Sequence, residues 1–297
     1  MFRILLLILL LASAALPAGA AVVTDALGRP VGSERPPQRI ISLVPAVTEI
    51  LFALELDEQL IAVTRFCTYP SAALAKPNIG DYASPSLEAL AALRPDLVIM
   101  AADAAGPELL SRLEMLGIAV FVAYPRSLTG TAELIRTLGR LCDRQPRAAA
   151  LAAELEQTAR CARRLTKGHQ KVRVLATVMT EPLVVAGPQT LLDDLIDIAG
   201  GVNVVGASLS RYPTWGLEAV LAADPDLILV SPHPGQEDAA ALYRNWPELS
   251  AVRNNRLLSV DADWIQRPGP RLSLGLRALV RGLHSIELPQ PVTSCGG

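Results

Sequence analysis

The chain has 297 residues, of which 51% are hydrophobic and 19% are charged, and its formal net charge at pH 7 is −2. This charge balance argues against nucleic acid or an acidic membrane surface as a partner. The length predicts two domains rather than one.

Residues 1–20, MFRILLLILLLASAALPAGA, have the pattern of a secretory signal peptide. Arg3 precedes an apolar run, and small residues end the segment at Ala20. The apolar run is too short to cross a hydrocarbon core of about 30 Å. We therefore predict cleavage near Ala20 and an exported mature protein. We expect no lipid anchor, because no Cys follows the cleavage site closely.

Two similar motifs occur far apart, LEALAALRPDLVIM at 87–100 and LEAVLAADPDLILV at 217–230. In each motif, apolar residues at helical spacing precede a Pro-Asp pair and a second apolar run, which predicts a helix, a turn and a buried strand. Ser84 and Thr214 stand three residues before the leading leucines, and we predict that they cap the two helices. The duplication predicts two lobes of related design.

The same alternation of strands and helices surrounds both motifs. Further strands are predicted at 39–43, 60–63, 119–122, 172–177 and 257–260. Further helices are predicted at 47–54, 107–116, 190–199 and 238–245. Alternating strands and helices imply parallel sheets. The predicted fold class is therefore α/β, with two Rossmann-like lobes and a ligand cleft between them.

One long helix is predicted between the lobes, at 147–167. The segment consists of strong helix formers, with Pro146 before it and Gly168 after it. Such a helix is a stiff connection, unlike a flexible linker. We predict a signal peptide at 1–20, an N-terminal lobe at 21–145, a linker helix at 146–168, a C-terminal lobe at 169–288 and a tail at 289–297.

Four cysteines follow the signal peptide: Cys67, Cys142, Cys161 and Cys295. None has the spacing of a zinc site. Cys142 and Cys161 are the closest pair in sequence, and the pattern leaves open both a disulfide and buried thiols.

Several function classes lack their motifs in this chain. It has no G-x-S-x-G elbow, Walker loop, H-E-x-x-H helix or dinucleotide fingerprint, so we expect neither an enzyme nor a catalytic cofactor. Glu181, Asp193 and Asp194 are weak acid/base candidates. The three histidines share no motif, which argues against a bare metal ion as the ligand.

Aromatic residues gather where the predicted strands end. Ligands of open α/β sheets bind outside the carboxyl ends of the strands, and flat aromatic side chains bury area there at little entropic cost. His233 is the His that we expect near the cleft. The predicted ligand-binding residues are Tyr69, Tyr82, Tyr212, Trp215, His233, Asp263 and Trp264.

Four segments carry a family resemblance: RIISLVPAVTEILFAL, VTRFCTYP, SLEALAALRPDLVI and DADWIQRPGPRL. Together they resemble the periplasmic substrate-binding proteins of ABC importers, in the helical-backbone class that binds cobalamin, haem or ferric siderophores. The resemblance extends from about Pro37 to Leu283. It implies a monomeric periplasmic receptor that holds a ligand in the cleft, performs no chemistry and delivers the ligand to an inner-membrane permease dimer. A remote alternative is an enzyme that acts on such a ligand.

The resemblance is strongest to the cobalamin-binding type, so cobalamin is the expected ligand. Haem is an alternative, for which Tyr82 stands near the position of an axial ligand. A ferric siderophore is another, since such ligands are commonly bound by arginines. The available arginines, scattered along the chain, are Arg65, Arg126, Arg211 and Arg267.

Glu88 and Glu218 occupy the same place in the two motifs, in the first turn of each predicted helix. A helix dipole stabilises an acid there, which gives each glutamate a local role. A permease dimer presents a two-fold symmetric surface, which a monomer can match by carrying one acidic group on each lobe. The family resemblance implies that glutamates at these positions pair with permease arginines. We therefore predict that Glu88 and Glu218 are docking residues.

Overall fold

The computed structural model describes residues 21–32, 34–82, 84–102, 106–232, 239–290 and 295. The predicted signal peptide and His233 lie outside these residues. Within this part of the chain, no helix is both long enough and apolar enough to cross a membrane.

The strands of the first lobe are β1 (Val23–Thr24), β2 (Pro30–Val31), β3 (Ile40–Ser42), β4 (Leu60–Val63), β5 (Leu97–Ala101) and β6 (Val120–Ala123). Four of them form a parallel sheet in the order β4-β3-β5-β6, and β1 and β2 form a separate antiparallel pair. Its helices are α1 (Pro45–Ala53), α2 (Leu87–Ala92), α3 (Pro107–Met115) and α4 (Leu128–Leu141). Strands β3 and β6 are buried along their whole length, as expected for a parallel sheet covered on both faces.

The second lobe repeats the design. Its strands are β7 (Val172–Thr180), β8 (Leu183–Val185), β9 (Gly201–Asn203), β10 (Leu227–Val230) and β11 (Leu257–Ser259), in the order β11-β10-β7-β8 with β9 beside β7. Its helices, numbered after the linker helix α5 (Gln145–Thr166), are α6 (Leu191–Ile198), α7 (Leu217–Ala223), α8 (Ala241–Arg244), α9 (Ser250–Arg253), α10 (Ala262–Ile265) and α11 (Leu272–His284). Strand β8 is antiparallel, because a tight turn returns the chain directly beside β7.

The linker helix α5 (Gln145–Thr166) joins the lobes without a break. At 1.5 Å per residue it is about 33 Å long. It packs against α4 from the first lobe and α11 from the second. Its buried face includes Ala148, Ala152 and Ala162, whose small side chains allow close helix packing. One hydrophobic core therefore continues from lobe to lobe around α5.

The motif helices α2 and α7 begin at the predicted leucines, but their N-caps differ from the prediction. Ser86 caps α2, where its Oγ accepts a hydrogen bond of 3.2 Å from the Ala89 amide. Gly216 is the N-cap of α7 and offers no side-chain bond. The prediction of Ser84 and Thr214 as caps is wrong, because β-bridges at the adjacent Pro85 and at Thr214 itself keep the chain extended until nearer each helix.

The four cysteines divide into one disulfide and two thiols. Cys161 in α5 is bonded to Cys295 in the tail, with their Cα atoms 5.7 Å apart. Cys67 and Cys142 are buried free thiols. The closest pair in sequence is not bonded, because Cys142 precedes α5 and Cys161 lies about 24 Å along its axis.

Candidate functional site

A cavity of about 350 Å³ lies between the two lobes. From the first lobe, its wall is formed where β3, β5 and β6 end, at residues 44–47, 101 and 123–126. The second lobe supplies the loop before α6, the loop before α7 and the segment after α10. The parallel sheet of the first lobe thus presents the carboxyl ends of its strands to the cavity, the usual ligand-binding edge of such sheets.

The wall of the cavity is apolar and aromatic, with a cationic component. Its polar residues include Arg126, Arg211 and Arg267, together with Gln189 and Gln266. No Asp or Glu occurs among the lining residues in the described part of the chain. The cavity therefore carries a positive potential, which favours ligands with anionic or strongly accepting groups.

A hydrogen bond joins the lobes at the part of the cavity lining formed by Tyr124, Arg126 and Arg211, whose two arginines are exposed and which we call the cavity mouth. Arg211 donates from Nη2 to the Tyr124 hydroxyl at 3.1 Å. Arg126 makes a cation–π contact with the same tyrosine, and its guanidinium carbon is 5.3 Å from the ring centroid. The guanidinium carbon of Arg211 is 5.8 Å from that centroid. Tyr124 is therefore shared by one arginine from each lobe.

A buried charge cluster lies beside the cavity and also joins the lobes. Glu49 in α1 is 3% exposed, and its two carboxylate oxygens accept hydrogen bonds of 2.8 and 2.6 Å from Arg271. Asp263 accepts from Arg271 at 3.2 Å and pairs with Nε of Arg267 at 2.9 Å. The Arg271 guanidinium carbon lies 4.2 Å from the ring centroid of Tyr69.

The ionisation of this cluster reflects two opposing effects. Burial raises the pKa of Glu49, while the hydrogen bonds from Arg271 oppose that rise. The same hydrogen bonds raise the pKa of Arg271. We take the pair as ionised, since two charge-assisted bonds to one guanidinium strongly favour the carboxylate.

Arg267 connects the charge cluster to the cavity. Its Nε is held by Asp263, and its Nη1 lies 3.8 Å from a Glu49 oxygen. Among the described residues, Nη1 is buried without a hydrogen-bond partner. A buried donor without a partner is costly, so a ligand acceptor in the cavity would relieve that cost.

The predicted ligand-binding residues fall into three groups. Tyr82 and Tyr212 line the cavity, where they are 38% and 50% exposed. Tyr69 and Asp263 belong to the charge cluster next to it. Trp264 is partly buried against the core around α5, Trp215 is partly buried against a separate apolar cluster in the second lobe, and neither is among the described lining residues. His233 lies outside the described residues. Whether these residues contact a ligand stays a prediction.

The four arginines suggested by the sequence are scattered along the chain, but three of them come together in the fold. Arg126, Arg211 and Arg267 all line the cavity, whereas Arg65 pairs with Asp81 at 2.7 Å outside it. Tyr124 and Arg126 directly follow a predicted strand, so the sequence predicts that they lie at the edge of a sheet. The approach of Arg211 to Tyr124 depends on the three-dimensional arrangement of the lobes, so no local sequence pattern predicts it.

Two of the three acidic candidates, Asp193 and Asp194, form hydrogen bonds that support the fold. Asp194 accepts a hydrogen bond of 2.7 Å from the Leu128 amide at the start of α4, and burial raises its pKa. Asp193 accepts from the Gln189 amide at 3.0 Å. Glu181 lies exposed in the turn between β7 and β8. Within the described residues, no group of three or more His, Cys, Asp or Glu is placed to hold a metal ion.

The two motif glutamates are exposed at corresponding places of the two lobes. Glu88 lies in the first turn of α2 and Glu218 in the first turn of α7. Neither lines the cavity in the described part of the protein. Both are therefore available to a partner without obstructing a ligand.

Comparison with known proteins finds binding proteins by family, by sequence and by structure. The family model described as periplasmic binding protein matches residues 40–264. The vitamin B12-binding protein of Vibrio parahaemolyticus is 28% identical over 256 residues, which is 86% of this chain and 91% of that protein. The crystal structure of the periplasmic vitamin B12-binding protein of Vibrio cholerae superposes with a TM-score of 0.76 at 28% identity, covering 83% of this chain and 96% of that one. A periplasmic haem-binding protein from Pseudomonas aeruginosa also gives a TM-score of 0.76, at 26% identity and with coverage of 86% and 96%.

Proposed function

The chain belongs to the periplasmic binding protein family, and we propose that it is a periplasmic receptor that captures cobalamin and delivers it to an inner-membrane ABC importer. The observation that carries this proposal is the cavity between the lobes, whose walls combine tyrosines with aliphatic side chains. Such walls suit a large, flat, partly apolar ligand. The similarity to vitamin B12-binding proteins over most of both chains supports a corrinoid. As expected of a binding protein, the ligand leaves chemically unchanged.

The size of the cavity bears on how the ligand is held. A corrinoid with its side chains is larger than about 350 Å³. Part of it must therefore project through the mouth, or the lobes must separate slightly to admit it. The hydrogen bond between Tyr124 and Arg211 lies at the mouth, where the ligand would project or the lobes would separate.

Titration calorimetry with cyanocobalamin tests the proposal. We expect one site per chain, and we expect Tyr82→Ala and Tyr212→Ala each to weaken binding by about 1–3 kcal/mol while the protein stays folded. Leu74→Ala is the matched control, because Leu74 is exposed and is absent from the described cavity lining. Absence of both heat and thermal stabilisation with every corrinoid contradicts the proposal.

Haem is the second candidate, favoured by Tyr82 and the three arginines in one cavity. A tyrosine phenolate can bind ferric haem iron, and arginines suit the two haem propionates. Absorbance of protein purified from its own periplasm separates the candidates, because corrin and haem have distinct spectra. If haem is found, Tyr82→Phe should abolish the spectrum of the phenolate complex, whereas Tyr212→Phe should preserve it.

Delivery to the importer rests on Glu88 and Glu218. We propose that each contacts one permease subunit, since both are exposed and occupy equivalent places on the two lobes. A monomer that presents one carboxylate on each lobe matches the two-fold symmetry of a permease dimer. Export by the signal peptide places the receptor in the periplasm, where it meets that dimer.

A further inference from the structure

A chain of hydrogen-bonded polar groups runs from the core of the second lobe to the cavity wall. Tyr243 is fully buried, and its hydroxyl lies 2.6 Å from Oγ1 of Thr177 in β7. Ser231 directly follows β10 and donates from Oγ to the Thr177 carbonyl at 3.1 Å. Gln266 donates from Nε2 to that Ser231 oxygen at 2.5 Å, and Gln266 lines the cavity. The chain therefore ends at a side chain that a ligand can reach.

The hydrogen bonds of Ser231 fix the orientation of the Gln266 amide. A serine hydroxyl has one proton, and Ser231 gives it to the Thr177 carbonyl, which can only accept. The Ser231 oxygen must therefore accept from Gln266, so the amide nitrogen of Gln266 faces Ser231. A reversed amide would place two oxygens together without a proton between them. Ser231 and Thr177 are 4% and 2% exposed, so water does not compete readily for these bonds.

The carbonyl oxygen of Gln266 is left for the ligand. Gln266 ends α10, where its backbone amide donates to the Ala262 carbonyl at 2.8 Å. Its Oε1 accepts no hydrogen bond from the described residues, and it is not one of their buried unpaired atoms. This oxygen is therefore accessible, and because the side chain lines the cavity it is presented to the ligand.

An oriented acceptor selects for a ligand that carries a donor. The arginines of the lining can only donate, whereas Gln266 offers an oxygen whose direction is fixed. A ligand without an N–H or O–H at this place would cover the oxygen and leave it unpaired, which is costly. Sites built in this way reject ligands that lack the matching group.

The two candidate ligands differ in this respect. The periphery of a corrinoid carries carboxamide groups, which have N–H donors. The polar groups at the periphery of haem are propionates, which at neutral pH only accept. We infer that Gln266 is a specificity-determining residue whose carbonyl oxygen accepts a hydrogen bond from a carboxamide N–H of a corrinoid, with Ser231 as the positioning residue. The inference rests on the proposed function, since it concerns the same ligand.

Two corrinoids that differ in their donors test the role of Gln266. Dicyanocobinamide carries peripheral carboxamides, whereas dicyanocobyrinic acid heptamethyl ester carries methyl esters without N–H groups, and both lack the nucleotide. Gln266→Met keeps a side chain of similar length and removes the amide. We expect this variant to bind dicyanocobinamide about 3- to 10-fold more weakly, as expected for loss of one hydrogen bond. It should bind the ester with unchanged affinity.

Ser231→Ala tests the orientation of the amide. It keeps Gln266 and removes the oxygen that its nitrogen faces, so the amide is free to rotate. We expect a smaller loss for dicyanocobinamide than in Gln266→Met and none for the ester. The double variant Ser231→Ala/Gln266→Met should bind dicyanocobinamide no more weakly than Gln266→Met, because Ser231 acts through Gln266. Additive losses would overturn the positioning role.

The control removes a glutamine elsewhere. Gln170 is exposed and absent from the described cavity lining, so Gln170→Met should bind both corrinoids as the wild-type protein does. Thermal denaturation checks the folding of each variant. Equal losses for both corrinoids in Gln266→Met, or no loss for dicyanocobinamide, overturn the role of Gln266 while cobalamin capture stands. A wild-type protein that binds no corrinoid refutes cobalamin capture and this inference together.

Discussion

Glu49 is a buried acid whose compensating charges come from the other lobe. It lies in α1, while Arg271 and Arg267 belong to the segment around the start of α11. Leaving the water costs both ions hydration energy, which their mutual contact offsets only with good geometry. The pair therefore adds little net stability, but removing Glu49 leaves Arg271 largely buried with Asp263 as its remaining carboxylate partner.

Glu49→Ala should lower the free energy of unfolding by about 3–5 kcal/mol, because Arg271 is then left buried without its main partner. Urea denaturation measures the change. Glu156→Ala is the matched control, since the Arg136–Glu156 pair is partly exposed at 32% and 26% and should contribute about 1 kcal/mol or less. The double variant Glu49→Leu/Arg271→Met should recover most of the loss, and a double variant as unstable as Glu49→Ala would refute this account.

The environment of His284 leads us to expect that the free energy of unfolding depends on pH. Its Nε2 is buried without a hydrogen-bond partner among the described residues, and burial lowers the pKa of His284. The unfolded chain then binds the proton first, so stability falls as the pH drops from about 6.5 through the folded pKa. Lys171, Asp197, Asp226, His169 and Arg256 are the neighbouring charged or titratable groups.

Denaturation of wild-type and His284→Gln protein at several pH values tests this dependence. Between about pH 7 and pH 5, stability of the wild-type protein should fall more steeply than that of the variant, because the variant lacks the titrating group. His169→Gln should keep most of the wild-type slope, since burial of His284 is the largest cause of its shift. Parallel curves for wild-type and His284→Gln would refute the assignment.

At the scale of elements, local patterns predicted the repeated unit well. The apolar runs at Leu227–Val230 and Leu60–Val63 are strands with the predicted bounds. Helix α4 was not predicted, although Ser127 caps it and Leu128, Ala132, Ile135 and Leu138 lie on one buried face. The apolar spacing of α4 is visible in the sequence and could have predicted this helix. The convergence of Arg126 and Arg211 could not be predicted, because it depends on how the two lobes meet.

The disulfide ties the tail to the linker helix. Cys161 and Cys295 are separated by 134 residues, so the bond constrains a long loop in the unfolded chain. Sequence spacing pointed to no pair, since α5 separates Cys142 from Cys161 and the tail returns only in three dimensions. Nearby, Arg277 donates to the Leu288 carbonyl at 2.8 Å and fixes the start of the tail.

Cys295→Ser should lower the free energy of unfolding by about 2–5 kcal/mol through loss of this constraint. Urea denaturation with and without reductant gives an internal control. Reductant should bring the wild-type protein to the stability of the variant and leave the variant unchanged. A variant as stable as the oxidised wild-type protein would show that the bond contributes nothing.

At the scale of the whole molecule, several contacts between the lobes accompany the stiff linker. Among those of the described residues are Glu49 with Arg271, the Leu128 amide with Asp194, and Tyr124 with Arg211. The first two lie close to the core around α5, whereas the third lies at the cavity mouth. This distribution favours rocking of the lobes about α5, with the mouth contact broken first. We therefore expect the distance between Glu88 and Glu218 to change little between ligand-free and ligand-bound receptor.

Substitution of both glutamates tests docking. Glu88→Ala/Glu218→Ala should leave ligand affinity intact, because neither side chain lines the described cavity, and should remove ligand-stimulated transport by the reconstituted importer. Reversal of both residues to Arg should be more severe, since like charges would then face permease arginines. The control Glu58→Ala/Glu154→Ala removes two exposed glutamates outside the motif helices and should transport normally. The single variants Glu88→Ala and Glu218→Ala should each lose part of the activity, as expected when each lobe contacts one permease subunit. Normal transport by the double variant at physiological salt would show that these glutamates act only through the helix dipole.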